Sequence, residues 1–327
     1  MRCGDPTWRC PVLDQLRSTR ALTINRSADF DHFRSIESLG DHRSIPLHWR
    51  GFAACFAAVE LRSCSIFLQR TFPRILQARY RSTGAIVCYG IDDAVSAVLD
   101  GNEVRPPSIL LARGEVACEF VEPQANLLAF VKFDAIEDRG WPGQTGRVRA
   151  IATQQAALDA LRSVTRDIFL LASNSADLLA EPQVVDQIEE SLLQATDHAL
   201  QMAQPSDSPR QADLGNYLSL VRRLDEFLQQ NASRTIHHSA ELAREFGVSV
   251  RTLNNAVVIV RGLSLHRYIR LTRLWNVRQQ LVQGGTEATL KAIALANGFW
   301  HMGELRTLYR DLFGETPQQT VAAARRD

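Results

Sequence analysis

Apolar residues in the last third of the chain recur three and four positions apart, the spacing of a helix with one buried side. Over residues 289–320, TLKAIALANGFWHMGELRTLYRDLFGETPQQT, this pattern predicts a short helix, a glycine turn and a longer second helix. Leu290, Ile293 and Ala294 form the inner side of the first, where a small residue such as Ala294 lets two helices cross closely. Asn297 and Gly298 end it, because glycine accepts the left-handed conformation that a tight exit requires. The second helix buries Leu305, Leu308, Tyr309, Leu312 and Phe313, and so turns Arg306, Thr307 and Arg310 outward. Trp300 and His301 open it, Trp300 as a packing or capping residue.

An earlier segment, SAELAREFGVSVRTLNNAVVIVRGLSLHRYI, repeats the arrangement. Leu242, Ala243 and Phe246 line a short helix, Gly247 makes the turn, and Ser249 stands at the N-cap of the next helix. That helix buries Leu253, Ala256, Val257 and Val260 and stops at Gly262. Between the two units runs LHRYIRLTRLWNVRQQLVQGG, a helical stretch spanning roughly 27 Å at 1.5 Å per residue. Two helices held apart by such a rod can enter successive major grooves of B-DNA, which recur about every 34 Å on one face.

The first half has a different texture. AIVCYGI, SAVLDGNEV, SILLARGEVACEFVEP and NLLAFVKF are short β-prone runs separated by turn signals, with Asp100-Gly101 a two-residue hairpin signal. Pro106-Pro107 and Arg113-Gly114 break the next runs, and strands at this spacing predict a sandwich or small barrel whose interior can hold a small effector. Arg79, Tyr80 and Arg81 read either as part of an anion pocket or as a solvated edge strand. From about residue 145 the period becomes helical again. Leu158, Leu161, Val164, Ile168, Leu171 and Ala172, then Ile188, Leu192, Leu193 and Thr196, make stripes that suit either a dimer interface or packing onto the chain's own sheet. AQPSDSPRQAD, residues 203–213, reads as a flexible linker.

Charge follows this division. From residue 214 onward 15 Lys and Arg face 9 Asp and Glu, a net +6, while the remainder carries 22 against 27, a net −5. A nearly neutral total therefore hides a basic end, the kind of surface that supplies sequence-independent DNA affinity. Lys132 and Lys291 are the only lysines, a bias that suits bidentate contacts and that a GC-rich genome also produces. No run of apolar residues is long enough to span a membrane, and the first twenty residues lack an apolar signal core, so the expected location is cytoplasmic. The six cysteines, Cys3, Cys10, Cys55, Cys64, Cys88 and Cys118, form no C-x-x-C pair and read as reduced thiols, with Cys3 and Cys10 in an exposed leader.

Two units of this kind, in this order around a connecting helix, resemble the C-terminal domain of the AraC/XylS family of bacterial transcription regulators. The likeness covers roughly residues 215–320, and GFWHMG followed by YRDLFGETP resembles one subgroup in particular. The resemblance implies a seven-helix domain with two helix-turn-helix units that binds double-stranded DNA, joined to an N-terminal cupin-like sensing or dimerising domain. It implies an activator, an unknown small-molecule effector, a homodimer and a surface that touches RNA polymerase. The expected fold class is α+β: an N-terminal extension (1–44), a β-rich sensor-like domain (45–144), an amphipathic helical connector (145–203), a linker (204–213) and an all-α DNA-binding domain (214–327).

Carried over position by position, the base-reading residues are Arg251, Asn254 and Asn255 in the first unit and Met302, Gly303, Glu304, Arg306 and Thr307 in the second, with Arg310 placed for phosphate. Asn255 stands where the family commonly has arginine, and an asparagine there can hold adenine bidentately. Glu304 either accepts from cytosine N4 or repels phosphate, and Gly303 either admits a groove wall closely or is merely a weak helix residue. Val257 and Val258 replace a usual phenylalanine and lysine. An outward Val258 beside Ile259 leaves three readings open: thymine methyls, another protein, or a first unit with weakened DNA affinity. The last makes the alternative function a protein-interaction regulator that binds DNA mainly through its second unit. No enzyme is expected. The β-rich half lacks a His-x-His with a following Glu, His32, His42 and His48 precede most strands, and the cysteine cluster of repair methyltransferases is missing, so no metal ligand or cofactor is assigned.

Overall fold

The computed structural model describes residues 11–27, 40–49, 52, 54–136, 139–142, 146–203, 211–231, 239–283 and 289–324. Cys3, Cys10, His32 and residues 204–210 of the expected linker lie outside them. The chain divides into two compact units, one from Met1–Arg43, Gly51–Leu99 and Glu103–Asp207, the other from Ser44–Arg50, Asp100–Asn102 and Ser208–Asp327.

The first unit is built on a ten-stranded sheet, antiparallel wherever its pairing is resolved. Its main path runs β1 (Thr23–Ser27), β3 (Ala54–Glu60), β4 (Cys64–Arg70), β9 (Leu127–Phe133), β5 (Arg74–Gly90), β8 (Ser108–Glu122), β6 (Ala97–Leu99) and β7 (Asn102–Val104). Beside that path β2 (Gly40–Pro46) pairs with β5 and β10 (Arg149–Ala152) with β8. Both faces are covered, as β5 makes clear: Ala85, Val87 and Tyr89 enter one apolar cluster, Ile86 and Cys88 the other. Asp100 and Gly101 both take positive φ, 47° and 82°, as a tight β6–β7 hairpin requires.

The first cluster is closed by α1 (Pro11–Asp14), α2 (Gln155–Asn174) and α3 (Pro182–Gln201), through Leu13, Leu158, Leu161, Ile168, Phe169, Leu192 and Leu200. The helical stripes pack onto the chain's own sheet. Polar bonds fix the same contact: Tyr89 Oη meets Thr165 Oγ1 at 2.5 Å, and buried Arg162 donates to the carbonyls of Gly90 and Asp92 at 2.7 and 2.8 Å.

Strands also occur where the apolar pattern gave none. β1, TINRS, buries only Ser27, so its sequence carries no alternation to read, and β10 precedes the helices in the span expected to be helical. Arg113-Gly114 bends β8 instead of ending it: Gly114 takes φ 73°, and the β5–β8 register shifts between Ser82 and Ala85, so the ladder absorbs the irregularity. Within β5 Tyr80 is buried, while Arg79 and Arg81 face water.

The second unit contains seven helices among the described residues: α4 (Gln211–Gln230), α5 (Ser239–Glu245), α6 (Val250–Arg261), α7 (Leu265–Val282), α8 (Leu290–Ala296), α9 (Met302–Phe313) and α10 (Pro317–Ala324). An N-terminal antiparallel sheet followed by a C-terminal helical region is the expected α+β arrangement.

Candidate nucleic-acid interface

In the first helix-turn-helix, α5 ends at Gly247, whose φ is 66°, and α6 begins under a side-chain cap. Ser249 Oγ accepts from the Thr252 N–H at 3.0 Å, satisfying a donor that the first helical turn leaves unpaired. Gly262 closes α6 with φ 67°, donating its N–H to the Val258 carbonyl at 2.9 Å. Leu253, Ala256, Val257 and Val260 are buried as their spacing demands. At the far end Arg261, 1% exposed, donates to Asp225 Oδ2 at 2.6 Å, and Tyr268 Oη donates to the other oxygen of the same carboxylate. One acid therefore ties α4, α6 and α7 together.

On the outer face of α6, Arg251 and Asn255 are exposed. Asn254 is half-buried, and its Oδ1 accepts from the Leu265 N–H at 3.0 Å, so this side chain also anchors the first turn of α7. Val258 and Ile259 are 44% and 45% exposed. From there α7 runs for 18 residues, roughly 27 Å, to the second unit.

That unit repeats the design with different chemistry. Thr289 Oγ1 caps α8 from the Ala292 N–H at 3.3 Å, and Gly298 turns the chain with φ 78°. Asn297 Nδ2 donates to the Ile293 carbonyl at 2.9 Å and to Gln280 Oε1 at 3.2 Å, locking the turn against α7. His301 stands at the N-cap of α9 without a side-chain cap bond. Phe299 fills the interior at 6% exposed while Trp300 is 62% exposed, which corrects the packing role read for Trp300.

Leu305, Tyr309, Leu312 and Phe313 are buried and Leu308 is half-buried. Gly303, Glu304, Arg306, Thr307 and Arg310 are exposed, and Met302 is half-buried. A Cβ at Gly303 would meet nothing within 4 Å, so internal packing does not demand glycine there. Thr307 Oγ1 donates to the Gly303 carbonyl at 3.1 Å, engaging the hydroxyl within its own helix. Beneath, Arg278 donates to Glu315 Oε1 at 2.5 Å and stacks 4.9 Å over Phe313, while Tyr309 and Thr320 share a 2.7 Å bond. Burial pushes the Tyr309 hydroxyl up to about 12, keeping it a neutral donor or acceptor.

The sheet unit holds a separate feature, a pocket of about 820 Å³ counting its open mouth. Its walls are largely apolar, including Leu76, Tyr80, Ile86, Ala112 and Phe130. Four charged residues line it, Arg74, Asp92, Glu122 and Arg162, and of these Arg74 and Glu122, 1% and 2% exposed, lie 2.5 Å apart. Thr71 Oγ1 and Asn126 Nδ2 each donate to Glu122 at 2.9 Å, so the carboxylate is saturated and the pair presents no net charge to the cavity. Arg74 and Glu122 are direct partners across β5 and β8, which no single-sequence pattern announces. Cys88 lines the same pocket with its thiol pushed up by burial, and Cys55, Cys64 and Cys118 are likewise buried and reduced. Among the described residues no group of three His, Cys, Asp or Glu is placed to hold a metal, and no helix is long and apolar enough to cross a membrane.

A family model described as a helix-turn-helix domain matches residues 242–323, which takes in both units and the rod between them. The XylDLEGF operon transcriptional activator of Pseudomonas putida is 32% identical over 108 residues, covering 32% of this chain and 33% of that protein. The C-terminal unit is a domain of the AraC/XylS family. XylDLEGF operon transcriptional activator 2, also of Pseudomonas putida, is 33% identical over 103 residues, 31% of this chain and 64% of its own length. A solved structure described as a probable AraC family transcriptional regulator from Rhodopseudomonas palustris is 34% identical, covering 32% of this chain and 97% of that one, with a TM-score of 0.29. The chain thus spans about a third of the length of the first curated activator it matches, and only through its AraC/XylS domain. These relatives are regulators of transcription, not enzymes.

Proposed function

We propose that this protein is a transcription activator that reads duplex DNA through both helix-turn-helix units and answers to a small effector held in its sheet unit. The observation that carries the reading is the pair of outward polar faces on α6 and α9, fixed on opposite ends of one continuous α7. Residues 214–327 read DNA in this proposal, 45–144 sense, and 145–203 connect. Arg251, Asn255, Met302, Gly303, Glu304, Arg306 and Thr307 face bases, Arg310 faces phosphate, and Asn254 positions α7 as well as bordering the groove. The activator role follows the named Pseudomonas putida relatives, and a contact with RNA polymerase is what the family resemblance implies. A cytoplasmic location fits a DNA reader, and a homodimer would pair through surface other than the helical stripes already buried on the sheet.

The pocket indicates the effector's chemistry. Its walls are mostly apolar, its buried Arg74–Glu122 pair is internally neutralised, and Arg162 at its edge is engaged by Asp93 and Asp159, which favours a small neutral molecule of mostly hydrocarbon surface over an ion. Footprinting on duplexes selected from a random pool tests the DNA reading. Protection over two successive major grooves is expected. Protection over one alone favours the second reading, a regulator whose first unit has lost DNA contact, for which exposed Val258 and Ile259 speak.

A further inference from the structure

The outer face of α6 carries an apolar element that phosphate binding does not use. Val258 and Ile259 are 44% and 45% exposed although Val257 and Val260 are 0% and 1%, so the interior is filled without them. β-branched residues are also poor helix formers in an exposed position, so helix stability does not call for them there. On a helix that turns about 100° per residue, Arg251, Asn255 and Val258 fall within about 60° of one another and make one strip, with Ile259 on its flank. Caps at Ser249 and Gly262 and the buried Arg261–Asp225 pair hold that strip in place.

One surface matches this order of groups. The major-groove edge of an A·T pair offers an N7 acceptor and an N6–H donor, which an amide side chain takes up together, and beside them the C5-methyl of thymine, which takes an apolar contact. A G·C pair has no such methyl. A protein partner fits less well, since the apolar patch is two side chains wide, is bordered by Arg251 and Asn255, and lies on the chain's basic end. We infer that α6 reads A·T pairs, Asn255 holding adenine and Val258 covering the 5-methyl of thymine. The inference rests on the DNA-reading function proposed above and deepens it.

The full chain selects its site from a random duplex pool, and the recovered site is resynthesised with deoxyuridine at one thymine at a time, which deletes only the methyl. In the half that α6 protects, one or two such replacements should weaken wild-type binding about three- to fivefold. Val258→Ala should bind the thymine and deoxyuridine duplexes equally, both at the wild-type level for deoxyuridine, with a thermal melt no lower than the wild type's. The inference is overturned if every deoxyuridine duplex binds like the parent, if Val258→Ala keeps the wild-type penalty, or if only the α9 half is protected. Failure to enrich any duplex overturns the DNA-reading function and this inference with it.

Discussion

The two helix-turn-helix units share a plan and differ in where they place their charge. In the first, charge is spent inside: Arg261 and Asp225 have side chains 0% and 7% exposed, while the outer face offers one arginine, an amide and two aliphatic groups. The second leaves its internal pair more open, with Glu315 24% exposed, and carries Glu304, Arg306, Arg310 and Asp311 outside. Phosphate attraction scales with outward cations and base identity with the fit of neutral groups. In the DNA-reading role proposed above, the first unit supplies selectivity from neutral groups on a stiff support, and the second supplies two arginines set between two acids.

The sharpest test of that contrast is internal. Asp225→Ala removes the carboxylate that both Arg261 and Tyr268 bond, and should lower the stability of the helical unit by about 3 to 5 kcal/mol. Glu315→Ala should cost roughly 1 to 3 kcal/mol, because water reaches the site it leaves. Urea unfolding of the two variants compares them directly; equal losses would erase the claimed difference in rigidity.

Next come the outer faces. Arg306→Ala should weaken binding to the selected site by about 1 to 3 kcal/mol and relax preference at one position, which competition among single-base variants reads out. If preference is unchanged, Arg306 leaves the reading set. Arg310, one turn further along and exposed, should behave otherwise. Arg310→Ala is expected to weaken all duplexes alike and to reduce the slope of log affinity against log salt by about 0.9. A response confined to one base step contradicts its phosphate role.

How much of this could be read beforehand depended on the range of the interaction. The four apolar inward residues of α6, its Ser249 cap and its Gly262 stop were legible, because helix period and capping are set within a few neighbouring residues, whereas its fifth buried residue, Arg261, was not. Exposure of Arg251, Asn255, Arg306 and Arg310 follows from the same period. The bond from Asn254 to Leu265 was not legible, since it depends on how α7 leaves α6. Nor was the choice of Phe299 over Trp300 as the inward aromatic, which the turn geometry decides. In the sheet unit the loss is greater. Arg74 and Glu122 are 48 residues apart and meet only through the β5–β8 register, and β1 has no apolar alternation at all. The pocket's neutral polar end therefore emerged from pairing, whereas the DNA-facing helices could be drawn from spacing alone.

The smallest expected effect compares the two helix starts. Ser249 supplies α6 with a side-chain acceptor for the Thr252 N–H, whereas His301 supplies α9 with none. Ser249→Ala should therefore destabilise the helical unit by about 1 kcal/mol, and His301→Ser should stabilise it by about 0.5 to 1 kcal/mol. Both residues are exposed, so neither change disturbs the packed interior. Opposite signs in paired thermal melts would place the difference in the caps themselves. If His301→Ser destabilises instead, the imidazole makes a contribution at the mouth of α9 that capping geometry does not describe, and the second unit is less loosely built than its missing cap bond implies.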